Sequence, residues 1–145
     1  MLFELLAVIC AGLFAGAALY ITFVEHPARL ECGTAVAATE FGPSYRRATV
    51  MQASLAAAGL VVATVAWVQG RGAQVLGGGL LLGIVIPFTL LVVLPTNQRL
   101  LDPGLDRSSL EAQHLLDRWG WLHAVRSLTS TVGFLVLVNH LARGA

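Results

Sequence analysis

The chain has 145 residues, of which 57% are hydrophobic and only 12% charged, and its mean hydropathy is +0.77. Soluble domains carry about 25% charged residues, so the composition points to a membrane protein whose core is built between helices in lipid. The net charge is +1 with every basic residue an arginine, which gives no electrostatic footprint for nucleic acid. Cys10 and Cys32 supply neither a metal-ligand spacing nor a disulfide framework and read as small apolar fillers.

The first apolar run covers residues 5–24. It lacks a basic leader and carries Glu4 instead, and at about 20 residues it is long enough to span, so it reads as a retained membrane helix. The second and third runs cover 48–68 and 73–94. All three are rich in small residues: Gly12 with Gly16, the stretch Ala56 to Gly59, and Gly77, Gly78, Gly79 and Gly83. Small residues let helices approach closely, either within one chain or across a homo-oligomer seam. Pro87 lies in the middle of the third run and is expected to kink it, freeing the carbonyl of Gly83.

The fourth run differs. After Arg126, apolar sequence continues only over 127–138, a rise of about 18 Å against a hydrocarbon core of about 30 Å. To span, the helix must begin near Trp119 and cover 119–141, which puts His123 and Arg126 inside it. A central arginine costs about 2.5–3.5 kcal/mol on the mildest insertion scale, so it is expected to face the bundle interior or to reach for the interface. Ser108 followed by Glu111 has the pattern of a capping box, so the helix is expected to start there and run on into the span.

The expected architecture is an all-α, integral membrane four-helix bundle, up-down-up-down, forming one domain over 1–145. Two longer loops, 25–47 and 95–118, share one face. The segment "RLECGTAVAATEFGPS" in the first of them is mildly amphipathic and is expected to lie at the interface. Arg29, Arg46, Arg47, Arg99, Arg107 and Arg118 fall on the long-loop side, against Arg71 and Arg143 on the other. The positive-inside rule then puts the long loops in the cytoplasm and both termini outside, in a bacterial cytoplasmic membrane.

In such a bundle the end of span one, the start of two, the end of three and the start of four meet. They bring Glu25, His26, Tyr45, Arg47, Gln52, Asn97, Trp119, Trp121, His123 and Arg126 to one mouth. Trp119, His123 and Arg126 recur at i, i+4, i+7, one helical stripe continued by Ser130. A polar pocket with an apolar floor is expected there. The bland reading of each residue stays open: an interfacial belt for the tryptophans, anchors for Arg46 and Arg47, interhelical hydrogen bonds for Gln52 and Asn97. His114 and His140 read as structural.

Four segments, "GLFAGAALYITFVEHPARL", "FGPSYRRATVMQ", "LPTNQRLL" and "RWGWLHAVRSL", together resemble the anthrone oxygenase-like family of small four-helix membrane proteins. The resemblance runs over nearly the whole chain and rests on the order and spacing of four weak motifs. It implies conversion of an anthrone to an anthraquinone with molecular oxygen and without an added cofactor. It touches His26 with Pro27, Tyr45, Arg47, Asn97, Trp119, His123 and Arg126.

The leading expectation is an oxygen-using oxidoreductase acting on a small, flat, apolar phenolic substrate drawn from the bilayer. His123 or His26 is the base, Arg126 and Asn97 stabilise an enolate, and Trp119, Trp121, Tyr45, Arg47 and Gln52 bind the substrate. A second reading is a metal enzyme with iron or copper on Glu25, His26 and His123, or with a haem bridged by the two histidines. A third is a lipid- or quinone-binding accessory subunit of a membrane complex. A transporter is disfavoured, because no charged path crosses the bilayer.

Overall fold

The computed structural model describes residues 1–144, and four helices account for nearly all of them: α1 (Leu2–Glu31), α2 (Thr34–Val68), α3 (Ala73–Leu100) and α4 (Leu110–Ala142). Each is apolar enough to cross a membrane, and at 28 to 35 residues each is longer than its apolar run. At 1.5 Å per residue they measure about 42–52 Å, more than the hydrocarbon thickness. This is the architecture of an integral membrane protein.

The first long loop expected from the sequence is not a loop. Residues 25–47 continue α1 to Glu31 and begin α2 at Thr34, so only Cys32 and Gly33 separate the helices. Gly33 makes this possible with a φ of +91°, a left-handed conformation that side chains with a Cβ resist, while its N–H caps the Leu30 carbonyl at 3.0 Å. The segment expected to lie along the interface is therefore the opening of α2, with Ala37, Ala38 and Phe41 buried. Cys32 sits exposed at the turn rather than filling the core.

The second long loop, expected over 95–118, is confined to residues 101–109, because α3 runs on to Leu100 and α4 begins at Leu110; it packs through Leu105. Asp102 accepts the Gly104 N–H at 2.8 Å and Arg99 Nη1 at 2.6 Å, and first the backbone bond and then the cation hold its carboxyl below its ordinary value. α4 begins one residue later than the expected cap. Ser109, not Ser108, accepts the Ala112 N–H, and Glu111 turns to Arg99 at 2.6 Å. From there α4 runs unbroken through Gly120.

Small residues make the helix contacts. A Cβ on Gly79 would stand 2.4 Å from the Ala63 Cβ, and one on Gly78 2.5 Å from Leu137. Gly59 meets Leu82 in the same way, and Gly12 meets Phe134. These seams join α2 to α3, α3 to α4, and α4 to α1. Gly16 and Gly77 face open space. The far end is held by a buried pair absent from the sequence reading: Glu4 lies 3.2 Å from His140 Nε2 and 3.9 Å from Arg71 Nε.

Gly79→Val forces the α2–α3 seam apart and is expected to cost about 1–3 kcal/mol, read as a lower midpoint of thermal unfolding in detergent; Gly77→Val is expected to leave the midpoint unchanged.

Candidate functional site

Two prolines shape the backbone around the site. Pro27 and Pro95 have no N–H, so the carbonyls of Phe23 and Leu91 lose their helical partners. In each helix the turn just before the proline widens into a π-helical segment, Ile21–Glu25 in α1 and Thr89–Val93 in α3. Such widened turns rotate the side chains that follow and recur at functional sites. The first carries Thr22 and Glu25. In α3 the expected kink appears as a break at Ile84, between Gly83 and Val85.

α4 presents Trp119, His123, Ser127 and Ser130 to the interior, all buried. The Trp119 indole is part of the core: it stacks on His123 with centroids 4.7 Å apart, meets Phe41 edge-on at 5.3 Å and lies 5.1 Å from His26. His123 Nδ1 is 3.0 Å from Thr22 Oγ1, which is 2.8 Å from Ser127 Oγ. Ser127 donates to the Ala18 carbonyl at 3.0 Å.

Arg126 lies half-buried beside this stripe. Its Nη2 donates to Gln52 Oε1 of α2 at 2.9 Å, and its guanidinium carbon stands 5.8 Å from the Phe14 ring centroid. Arg126 Nε and Gln52 Nε2 are shut away from solvent and make no hydrogen bond. Such donors are costly to leave unmet.

Both residues border two adjoining cavities. One, about 20 Å³, is lined by His123, Trp119, Tyr45, Gln52, Arg126 and Arg29. The other, about 120 Å³, runs between α2 and α3 past Phe14, Ala56, Val85 and Thr89. Its exposed rim of Thr49, Ala53 and Leu90 opens sideways, toward where lipid would lie. Tyr45, Thr49, Gln52 and Arg126 line both.

The other expected site residues are dispersed. His26 is buried against α4, where a Cβ on Gly120 would stand 2.7 Å from its Nε2, and its Nδ1 makes no hydrogen bond. It borders an open groove on the outer α1–α4 face with Trp121, which is 79% exposed and lines neither cavity. Arg47 lines a separate open groove between α1 and α2. Asn97 is 1% exposed, its Oδ1 unpartnered, and it too lines neither cavity.

The metal-ligand set expected from sequence is not assembled. Glu25 is paired with Arg29 and accepts the Ser44 hydroxyl at 2.6 Å. His123 Nδ1 is taken by Thr22. Among the described residues no three His, Cys, Asp or Glu side chains gather as a metal site would require. Nor do His26 and His123 face a common open space for a haem, since both imidazoles pack on the Trp119 indole.

Thr22, Ser127 and Phe14 are not among the site residues expected from sequence, and Arg29, expected at the same mouth beside Glu25 and His26, was given no role there. Thr22 and Arg29 had a signal: with Ala18 and Glu25 they continue the inward stripe of α1 at helical spacing.

The anthrone oxygenase family model matches residues 41–136. The chain belongs to the anthrone oxygenase family. The match contains Tyr45, Gln52, Trp119, His123 and Arg126, so both cavities of this anthrone oxygenase family member are built largely from matched sequence. Thr22, Glu25 and His26 lie before its start. No curated protein and no solved structure matches the chain.

The Arg126–Gln52 bond predicts a non-additive cycle. Gln52→Leu strands the guanidinium and is expected to cost about 1–3 kcal/mol in detergent unfolding. Adding Arg126→Met is expected to recover most of that loss, which a sum of independent effects would not do.

Proposed function

We propose that the protein is a membrane oxidoreductase that uses molecular oxygen on a small, apolar, anthrone-like phenolic substrate entering from the bilayer. The observation that carries this reading is that buried His123 and half-buried Arg126 border one cavity while Arg126 Nε and Gln52 Nε2 have no partner. Two unmet N–H donors beside an imidazole are what an enolate oxygen requires. The donors lower the energy of the anion in a low-dielectric site, and the histidine takes the proton whose loss creates it.

With Nδ1 held by Thr22, Nε2 is the nitrogen left for the substrate. Proton transfer from the substrate's CH₂ to Nε2 leaves the electron pair on the ring as an enolate. Molecular oxygen accepts four electrons in all: one oxygen atom becomes the new ring carbonyl and the other leaves as water. The larger cavity, about 120 Å³, is well below the roughly 300 Å³ of pockets that enclose a drug-sized ligand. A flat multi-ring substrate therefore places one ring inside, between Phe14 and Tyr45, and the rest in the opening between α2 and α3. Asn97 and Trp121, which line neither cavity, have no part in this scheme, and His26 is a neighbour of the base through Trp119.

The same two donors would hold a quinone carbonyl in a binding subunit that catalyses nothing. Oxygen consumption separates the readings. In liposomes supplied with an anthrone, the wild-type chain is expected to consume oxygen, and His123→Ala to lower the rate about 100-fold or more while the variant still unfolds cooperatively in detergent. Arg126→Gln is expected to lower it by about 100-fold. Wild-type turnover in His123→Ala would remove the base from the scheme.

A further inference from the structure

The α1–α2 face carries an open groove of about 590 Å³, separate from the two cavities at Arg126, and its lining changes character along its length. Ala17, Ile21, Ala48 and Met51 line one part, and Glu25, Glu40, Ser44 and Arg47 the other. The change falls where the apolar runs stop: 5–24 ends just before Glu25, and 48–68 begins just after Arg47. Arg29 pairs with Glu40 and Glu25 with Ser44, so α1 and α2 pass each other in opposite directions and the two boundaries share one depth. The groove therefore crosses from the hydrocarbon into the headgroup layer, over about 16 Å of α2 from Glu40 to Met51.

The charges in the outer part do not cancel. Arg29 pairs with Glu25, and its Nε stands 2.9 Å from Glu40 Oε2, so one guanidinium serves two carboxylates. Arg29 is held inward, its side chain 5% exposed and its guanidinium carbon 5.8 Å from the Trp119 ring centroid. Glu25 Oε1 also accepts the Ser44 hydroxyl at 2.6 Å. Glu25 Oε2 and Glu40 Oε1 are left without a protein partner among the described residues. Arg47, exposed and one helical turn beyond Ser44 toward the apolar part, has no partner among them either.

We propose that this groove binds a phospholipid whose headgroup joins a phosphate to a primary ammonium, an ethanolamine-type lipid, with an acyl chain lying over Ala48 and Met51. In such a lipid the phosphate sits next to the chains and the ammonium lies beyond it on a short linker. The groove repeats that order: apolar side chains, then the cation of Arg47, then the carboxylates of Glu25 and Glu40. A primary ammonium donates N–H to the free carboxylate oxygens, and the phosphate accepts from the guanidinium, so both ends form charge-assisted hydrogen bonds. A trimethylated ammonium has no N–H to give. An anionic headgroup without an amine brings its charge up to two carboxylates that share one cation. Nothing in this depends on the chemistry at His123.

The test is native mass spectrometry of the full chain in detergent, titrated with phosphatidylethanolamine, phosphatidylcholine and phosphatidylglycerol of identical acyl chains. The wild type is expected to retain one phosphatidylethanolamine per chain, bound about five-fold more tightly than either of the others. Glu40→Gln is expected to erase the preference over phosphatidylcholine. Arg47→Leu is expected to weaken both zwitterionic lipids about five-fold, and Arg47→Lys, which keeps the charge, to retain them. Arg118→Leu, at the same end of the bundle but outside the groove, is expected to change neither. Equal affinity of the wild type for the three lipids overturns the proposal, and that comparison needs no variant to fold. A preference that survives Glu40→Gln, or binding that survives Arg47→Leu, overturns it too. Tightest binding of phosphatidylglycerol, lost equally in Arg47→Leu and Arg118→Leu, shows general attraction to basic residues and likewise overturns it.

Discussion

The half-buried guanidinium of Arg126 stands among membrane helices, where its N–H groups must find partners within the protein, and the packing around it answers that constraint. α2 answers with Gln52, whose amide oxygen takes one N–H at 2.9 Å. α1 answers with the Phe14 ring. Neither uses the remaining donors, so the guanidinium and the Gln52 amide keep N–H groups shut away from solvent beside a space lined mainly by apolar side chains. Burial raises the cost of leaving such groups unmet. It also raises their value toward an oxygen atom that enters.

The wall opposite that space is formed by aromatic rings. Trp119 packs on His123, His26 and Phe41, so the two histidines belong to one rigid cluster but face different surroundings. His123 borders the enclosed cavity, and His26 borders the outer groove. The π-helical turn before Pro27 sets Thr22 on this boundary. One side of the cluster thus borders the enclosed cavity, and the other a groove carrying Asp117.

None of this requires long loops. Glycine and alanine seams hold the helices close enough for side chains on different helices to share hydrogen bonds. The Glu4–His140 contact, with Arg71 near it, closes the end of the bundle remote from the cavities. Polar chemistry therefore stands at both ends, whereas the sequence reading placed it at one, because Glu4 lies just outside the first apolar run and was read only as evidence against a leader.

Much of the fold was legible because its signals are local. Four apolar runs of spanning length, the break near Pro87, and an arginine and a histidine inside the fourth run are visible in single windows of sequence. The polar stripe on α4 follows from helical spacing alone. Apolar runs, however, mark where side chains meet lipid and not where the backbone stops being helical, so the expected first loop turned out to be two helix ends around Gly33. Pairing was not legible at all. Thr22 meets His123 across 101 residues, and Glu4 meets His140 across 136. Trp119 and Trp121, two residues apart, part to the core and to the surface. Those outcomes depend on how far each helix is rotated about its axis, and only the packing of glycines, alanines and aromatic rings between helices fixes that angle.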